Sequence, residues 1–292
     1  MRYRITHRTQ YAYGQPVLLC HNEARLRPRQ TPRQTCLESH VAIEPAPAER
    51  AVREDFFGNQ VLYFAVQETH ERLSVCATSE IEVAAAPPGP DLETSPPWDA
   101  VRDRLADEAD AESRSATQFR LDSPCAAAAT DARDYAAPSF APGRPILAAV
   151  SELNRRIHRD FRFDPESTTV ATAVSEVLAR RHGVCQDFAH LAIACLRSLG
   201  LPARYVSGYL ETLAPPDQAR LQGADASHAW FAVYAPDLGW IDFDPTNDCL
   251  PGDRHVTTAW GRDYADVTPL KGVIFGGGEH TLSVAVDMVR LE

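Results

Sequence analysis

Cys185, His228 and Asp244 lie 43 and 16 positions apart, and their local settings suit nucleophilic chemistry. Cys185 follows Gly183-Val184 and opens a run with helical spacing. A helix N-terminus carries partial positive charge and free N–H donors. Both favour the thiolate, the nucleophilic form of cysteine, and the same donors can hold the oxyanion of a tetrahedral intermediate. Cys185, Phe188 and Ala192 stand at i, i+3 and i+7, so the thiol leans toward the buried face. Position alone fits a buried structural thiol as well as a nucleophile.

A nucleophilic cysteine needs a base. His228 opens the run His228–Tyr234, in which His228, Trp230, Ala232 and Tyr234 share one strand face. In the next run, Gly239–Asp244, the shared face carries Trp240, Asp242 and Asp244. A hairpin folded about residue 236 sets His228 opposite Asp244. Folded about residue 237, it makes them diagonal neighbours. In either register one carboxylate can orient one imidazole and fix its tautomer. Taken singly, His228 reads as a strand-start histidine and Asp244 as an acceptor before the turn Pro245-Thr246-Asn247. A helix-start cysteine followed by such a hairpin is a far more specific combination.

These residues require elements to hold them. From residue 145 the apolar spacing is helical. Ile146, Leu147, Val150, Leu153 and Ile157 mark one helix. Val174, Val177 and Leu178 mark a second, which Gly183 is expected to stop, and Phe188, Leu191, Ala192, Cys195 and Leu199 a third, ending at Gly200. Strands follow at 203–210, 228–234 and 240–244, and 282–289 alternates again. Residues 1–86 show only period-two alternation, as in Val41–Ile43, Val61–Phe64, Leu73/Val75/Ala77 and Ile81–Val83, with a tight turn at Gly58-Asn59. Arg25, Arg27 and Arg29 are expected to form a solvated strand face. Residues 87–144 are punctuated by prolines and carry one short helix through Trp98, Val101 and Leu105. The expected organisation is α+β: an antiparallel, sandwich-like β-domain (1–86), a connector (87–144), and a core with a C-terminal strand (145–292).

Composition bounds the function. The 292 residues are 44% hydrophobic and 24% charged, an ordinary globular balance. No window approaches the roughly 18 uninterrupted apolar residues of a membrane span, and a net charge of −11 disfavours nucleic-acid phosphates. The first residues do not resemble a secretory signal. The seven cysteines lack CxxC pairs and are odd in number, which argues against zinc ribbons and a disulfide framework. A reduced, cytoplasmic setting is therefore expected. His182, Cys185 and His190 lack the fourth partner and the spacing of a metal site. Of 29 basic residues only Lys271 is a lysine, a bias of coding composition.

The runs Gly183–Leu191, His228-Ala229-Trp230, Gly239–Asn247 and Gly261–Pro269 resemble the transglutaminase-like (papain-like) cysteine hydrolase superfamily. Tyr11–Tyr13, His21-Asn22, Arg25–Arg29 and Phe57-Gly58-Asn59 are similar to the β-domain that precedes such cores in bacterial members. The resemblance spans nearly the whole chain. It implies a papain-like core with the catalytic helix packed on an antiparallel sheet, Cys185 as nucleophile, His228 as general base and acid, and Asp244 as orienting carboxylate. It also implies that Gln186, Asp187 and Trp230 line the site, and that no metal or organic cofactor takes part. The oxyanion-supporting Trp of animal transglutaminases and the Gln of papain-like proteases have no counterpart before Cys185.

The expected activity is hydrolysis of a peptide or protein amide through a thioester. Transamidation of protein glutamine, or a non-catalytic scaffold on the same core, are the alternatives. Neither nucleic acid nor a membrane is expected as a partner, and the sequence assigns no oligomeric state.

Overall fold

The computed structural model describes residues 1–85, 89–107, 110–165, 169, 172–212 and 226–291. The N-terminal region comprises β1 (Arg2–Ala24), β2 (Gln34–Glu44), β3 (Glu49–Glu54), β4 (Gln60–Val66) and β5 (His70–Val83). They pair in the order β2-β5-β1-β4-β3. The first half of β1 pairs with β5 and the second with β4, and the register breaks between Ala12 and Val17. The sheet folds over along β1 into two layers that enclose Val17, Cys20, Val41, Phe64, Leu73 and Val75. This is the expected sandwich-like domain. The two alternating runs at 73–77 and 81–83 belong to one strand, β5.

The connector holds more helix than its sequence suggests: α1 (Trp98–Asp107), α2 (Ala111–Thr117) and α3 (Thr130–Ala136), where one was expected. Seven-residue helices span two turns, too few for a period to stand out. Tertiary contacts hold them instead. Ala116, Ala132, Tyr135 and Ala136 are buried in the main core, and Asp110 caps α2 by accepting the amides of Glu112 and Ser113. The buried Arg197 fastens the connector. It donates to the carbonyls of Phe119, Ala126, Ala203 and Arg262 and to Ser123 Oγ.

The core contains α4 (Ile146–Asp160), β6 (Arg162–Phe163), α5 (Val174–Arg180), β7 (His182–Gly183), α6 (Cys185–Ser198), β8 (Ala203–Leu210), β9 (Ala226–Ala235), β10 (Gly239–Phe243), β11 (His255–Gly261) and α7 (Tyr264–Val267). An antiparallel sheet runs β10-β9-β8-β11. Helix α6 packs on one face, with Phe188, Leu191, Ala192 and Cys195 in one cluster with Tyr205, Phe231 and Val233. Truncating a buried leucine such as Leu191 to alanine costs about 2–5 kcal/mol in such cores. The other face meets the N-terminal region, so β8 is buried along nearly its whole length, Arg204 and Ser207 included. Helix α5 is closed by Arg181 in the left-handed region (φ 59°), not by Gly183. Gly183 is needed for another reason: a Cβ there would meet Asp187 Oδ2 at 2.8 Å.

Strands β12 (Leu270–Gly276) and β13 (His280–Leu291) leave the core and pair antiparallel along β1. The sequence had grouped this segment with the core. Half-buried alternation, here Val286 and Met288 inward, does not say which sheet a strand joins, and β1 offers the edge. Gly276, Gly277 and Gly278, all at positive φ, make the bend between the two.

Candidate active site

Cys185 is the first residue of α6 and is half-buried. Asp187 stands two residues on and reaches back, its Oδ2 accepting the Val184 amide at 2.8 Å. That contact fixes how the chain enters the helix and answers one of its unpaired N–H groups. Asp187 is 1% exposed. It is a buried cap rather than the site-lining residue expected from the sequence, because the bond to Val184 turns it away from solvent. Gln186 lies beside Cys185 and is half-buried.

His228 lies on β9 and Asp244 just past β10. The hairpin pairs Trp240 with Tyr234 and Asp242 with Ala232, so it folds about residue 237 and the two are diagonal neighbours. His228 Nε2 donates to Asp244 Oδ2 at 2.8 Å. That leaves Nδ1 free of Asp244, and the Cys185 thiol lies close enough to the ring to help raise its pKa. Sequence-predicted Cys185, His228 and Asp244 are thus brought together. Burial works against charge on His228, but its bonds to Asp244 and Cys185 outweigh that and push its pKa up to about 10.

Asp244 is fully buried and heavily hydrogen-bonded. Oδ1 accepts the amides of Thr246 (2.9 Å) and Asn247 (3.2 Å). Oδ2 accepts from His228, from Asn247 Nδ2 (2.7 Å) and from His255 Nε2 (3.1 Å). Burial alone would raise its pKa; these donors hold it well below the usual carboxylate range. The turn after Asp244 is closed by mutual backbone bonds between Asp244 and Cys249. Helix α4 clamps it through His158 to the Thr246 carbonyl (2.9 Å) and Asn154 to Asp248 (3.2 Å).

Asp242, the other carboxylate on that strand face, has different neighbours from Asp244. It lies beside the Arg204 guanidinium and the Trp230 indole, and burial raises its pKa against the pull of Arg204. Trp230 is 1% exposed, so it backs the site and does not line it. Its ring lies 6.1 Å from that of His228 and edge-on to His255 at 5.4 Å. It packs over Gly208, where a Cβ would fall 2.5 Å from the indole.

His255 and Asn247 were not singled out from the sequence. Asn247 lies in the turn and in the family-like run Gly239–Asn247, where it was given no role, while His255 opens a strand with no periodic or motif signal of its own. His228 Nε2, Asp244 Oδ2 and His255 Nε2 lie within 4.8 Å of one another, a grouping that could hold a cation. The N–H donors aimed at Asp244 account for it as a hydrogen-bond cluster. His190 instead accepts the Tyr264 amide (3.1 Å), and burial lowers its pKa to about 4.

Of the three arginines expected on a solvated face, Arg27 is exposed, whereas Arg25 and Arg29 help build the contact between the N-terminal region and the core. Arg25 is buried and pairs with Asp55 at 3.0 Å. Arg29 donates to the Phe57 carbonyl and to Asn59, and Asn59 exchanges hydrogen bonds with the Trp260 backbone. Gln34 does the same with Thr257.

Residues 3–82 match the family described as bacterial transglutaminase-like N-terminal region, and residues 133–245 the transglutaminase-like superfamily. The chain is 44% identical over 300 residues to an uncharacterized protein of Mycobacterium tuberculosis, covering 100% of this chain and 93% of that one. It is 30% identical over 111 residues to a protein-glutamine gamma-glutamyltransferase of Pseudomonas aeruginosa, covering 37% of this chain and 17% of that protein. Its fold is similar to a crystal structure from Cytophaga hutchinsonii reported as a "Putative Cysteine Protease". That likeness has a TM-score of 0.76 at 24% identity, covering 100% of this chain and 91% of that one. No helix among the described residues is long and apolar enough to cross a membrane.

Proposed function

We propose, from the premise that the chain belongs to the transglutaminase-like superfamily, that it is a cysteine-dependent amide hydrolase acting on peptides or proteins. The observation that carries this reading is the 2.8 Å bond from His228 to Asp244, with the Cys185 thiol near enough to act on the same ring. In the proposed cycle the Cys185 thiolate attacks the amide carbonyl carbon. The Cys185 N–H, at the first turn of α6, faces the developing oxyanion. His228, as imidazolium, gives its proton to the leaving amine, and the C–N bond breaks to leave a thioester on Cys185. The now neutral His228 takes a proton from water, whose oxygen attacks the thioester. Collapse releases a carboxylic acid and restores the thiolate–imidazolium pair. Asp244 holds the ring and its charge throughout.

The 30% identity to a protein-glutamine gamma-glutamyltransferase supports a second reading, in which an amine replaces water in the last step. Both readings share the acyl-enzyme. The test has two stages. Timed iodoacetamide labelling should modify Cys185 well before the other six cysteines; equal rates, or Cys185 slowest, would overturn the nucleophile assignment. Mass spectrometry of the protein with a peptide library should then show an adduct on Cys185. Its decay to free acid supports hydrolysis, and preferential transfer to added amine supports transamidation.

A further inference from the structure

We propose that His255 is a positioning residue that anchors the Asp244 carboxylate to the sheet and so keeps His228 aimed at Cys185. This rests on the amide-hydrolase reading above. Apart from His228, the donors to Asp244 found among the described residues come from Thr246 and Asn247, in its own turn, and from His255. The turn donors are held by α4, through His158 and Asn154, and not by the sheet. His228 is the group being positioned. His255 therefore supplies the tie from the carboxylate to the sheet, from β11, which lies beyond β8 in the sheet order.

The ring of His255 is itself held. The Gly252 amide donates to its Nδ1 at 3.3 Å, so Nδ1 is an acceptor and the proton sits on Nε2, the atom facing Asp244. Trp230 stands edge-on to it at 5.4 Å. Gly208 makes that approach possible, since a Cβ there would fall 2.1 Å from the Val256 carbonyl and 2.5 Å from Trp230. His255 is buried, and its Nε2 is taken up by the Asp244 carboxylate at 3.1 Å. A ring held at Nδ1 by the Gly252 amide, with Nε2 against the carboxylate that orients the imidazole, acts through Asp244 on His228. Outer partners of this kind are typically worth about 10–100-fold in metal sites.

The test compares His255→Phe, which keeps the ring and loses the donor, with His255→Gln, whose amide can donate again. Iodoacetamide labelling of Cys185 at neutral pH should slow about tenfold in His255→Phe, the lower end of that range, and recover most of its rate in His255→Gln. Labelling of His255→Phe at the wild-type rate would overturn the proposal. So would equal impairment of the folded Phe and Gln variants, which would make the ring's shape the cause. Should His255→Phe not fold, nitrogen-15 NMR of the wild-type protein decides: His255 must be the Nε2–H tautomer, and an Nδ1–H tautomer overturns the inference. The readings fail separately. A wild-type Cys185 no more reactive than the other thiols sinks the hydrolase reading, whereas a reactive Cys185 indifferent to His255 sinks this one.

Discussion

The Arg29 guanidinium lies over the Trp260 ring, 3.6 Å from its centre, and Arg204 also lies against that ring, at 3.9 Å. Arg204 approaches Trp240 as well, at 4.5 Å, so guanidinium and indole groups run from the N-terminal region into the core sheet. Burial of Arg204 lowers its pKa to about 10, which leaves it charged at neutral pH. Removing Arg29 deletes one cation–π contact and the bonds to Phe57 and Asn59 that hold the 55–59 turn against Trp260. Arg29→Ala should therefore lower stability by about 1–2 kcal/mol, a partly desolvated cation–π contact. Arg29→Lys should restore only part of it, because an ammonium cannot lie flat on the ring while serving both acceptors. Urea midpoints of the three proteins check this, and equal midpoints would show that the contact is not holding the two regions together.

The His228–Asp244 pair predicts how stability depends on pH. The folded pKa of His228 is raised to about 10, above an ordinary value of about 6.5. A raised pKa stabilises the fold fully below the unfolded value, and the contribution is lost as pH rises toward the folded one. Asp244 has the opposite sign: its depressed pKa stabilises above the ordinary carboxylate range and is lost in acid. The deficit of His228→Gln relative to wild type should thus be greatest near pH 6 and shrink between about pH 6.5 and 10. Urea midpoints of both proteins at pH 6, 8 and 10 measure it. A gap constant across that window would mean the folded imidazole is not charged.

The positions of Cys185, His228 and Asp244 were legible because they follow from local rules: a helix start, a strand alternation and a hairpin count. The count left two registers open, and only the observed pairing of Asp242 with Ala232 chose between them. What was not legible depends on contacts between distant segments. His255 reaches Asp244 across the sheet, and nothing about the neighbours of His255 in sequence announces it. Arg25 and Arg29 alternate like solvent-facing residues, yet Asp55 and Trp260 meet them from elsewhere in the chain. The pairing of 270–291 with β1 was missed for the same reason, since a strand's pattern encodes its faces and not its partner. For Asp187, nearness to Cys185 suggested a place in the site wall, and the structure gives its Oδ2 a capping bond to the Val184 amide.

That capping role is testable. Asp187→Ala leaves the half-buried Val184 amide without its acceptor and removes a carboxylate from the α6 N-terminus. It should cost about 0.5–2 kcal/mol, as lost helix caps do. Asp187→Asn keeps an oxygen in place and should recover much of the stability. Neither change should abolish Cys185 labelling once the protein is folded. Denaturation midpoints with labelling rates at matched folded fraction distinguish the cases, and lost labelling without lost stability would return Asp187 to the list of residues that meet substrate.

The assignment of the orienting carboxylate rests on comparing two aspartates two residues apart. Asp244 bonds to His228, while Asp242 lies beside Arg204 and Trp230. In serine enzymes the Asp→Asn change keeps the geometry and lowers kcat about 10⁴-fold, because the amide favours the wrong imidazole tautomer. A thiolate–imidazolium pair forms without help from the third group, so a cysteine enzyme should lose less. Asp244→Asn is expected to slow turnover roughly 10- to 1,000-fold, scaled down from the serine-enzyme figure, and Cys185→Ala to abolish it. Asp242→Asn should slow turnover far less, though it disturbs the Arg204 contact and should cost stability. Before a substrate is known, the rate of Cys185 alkylation against pH replaces turnover. Asp244→Asn should slow alkylation most at mildly acidic pH, where the thiolate depends on a charged imidazole beside it. A damaging Asp242→Asn beside a silent Asp244→Asn would mean that the 2.8 Å bond to His228 does not orient the ring in solution, and that Asp242 does.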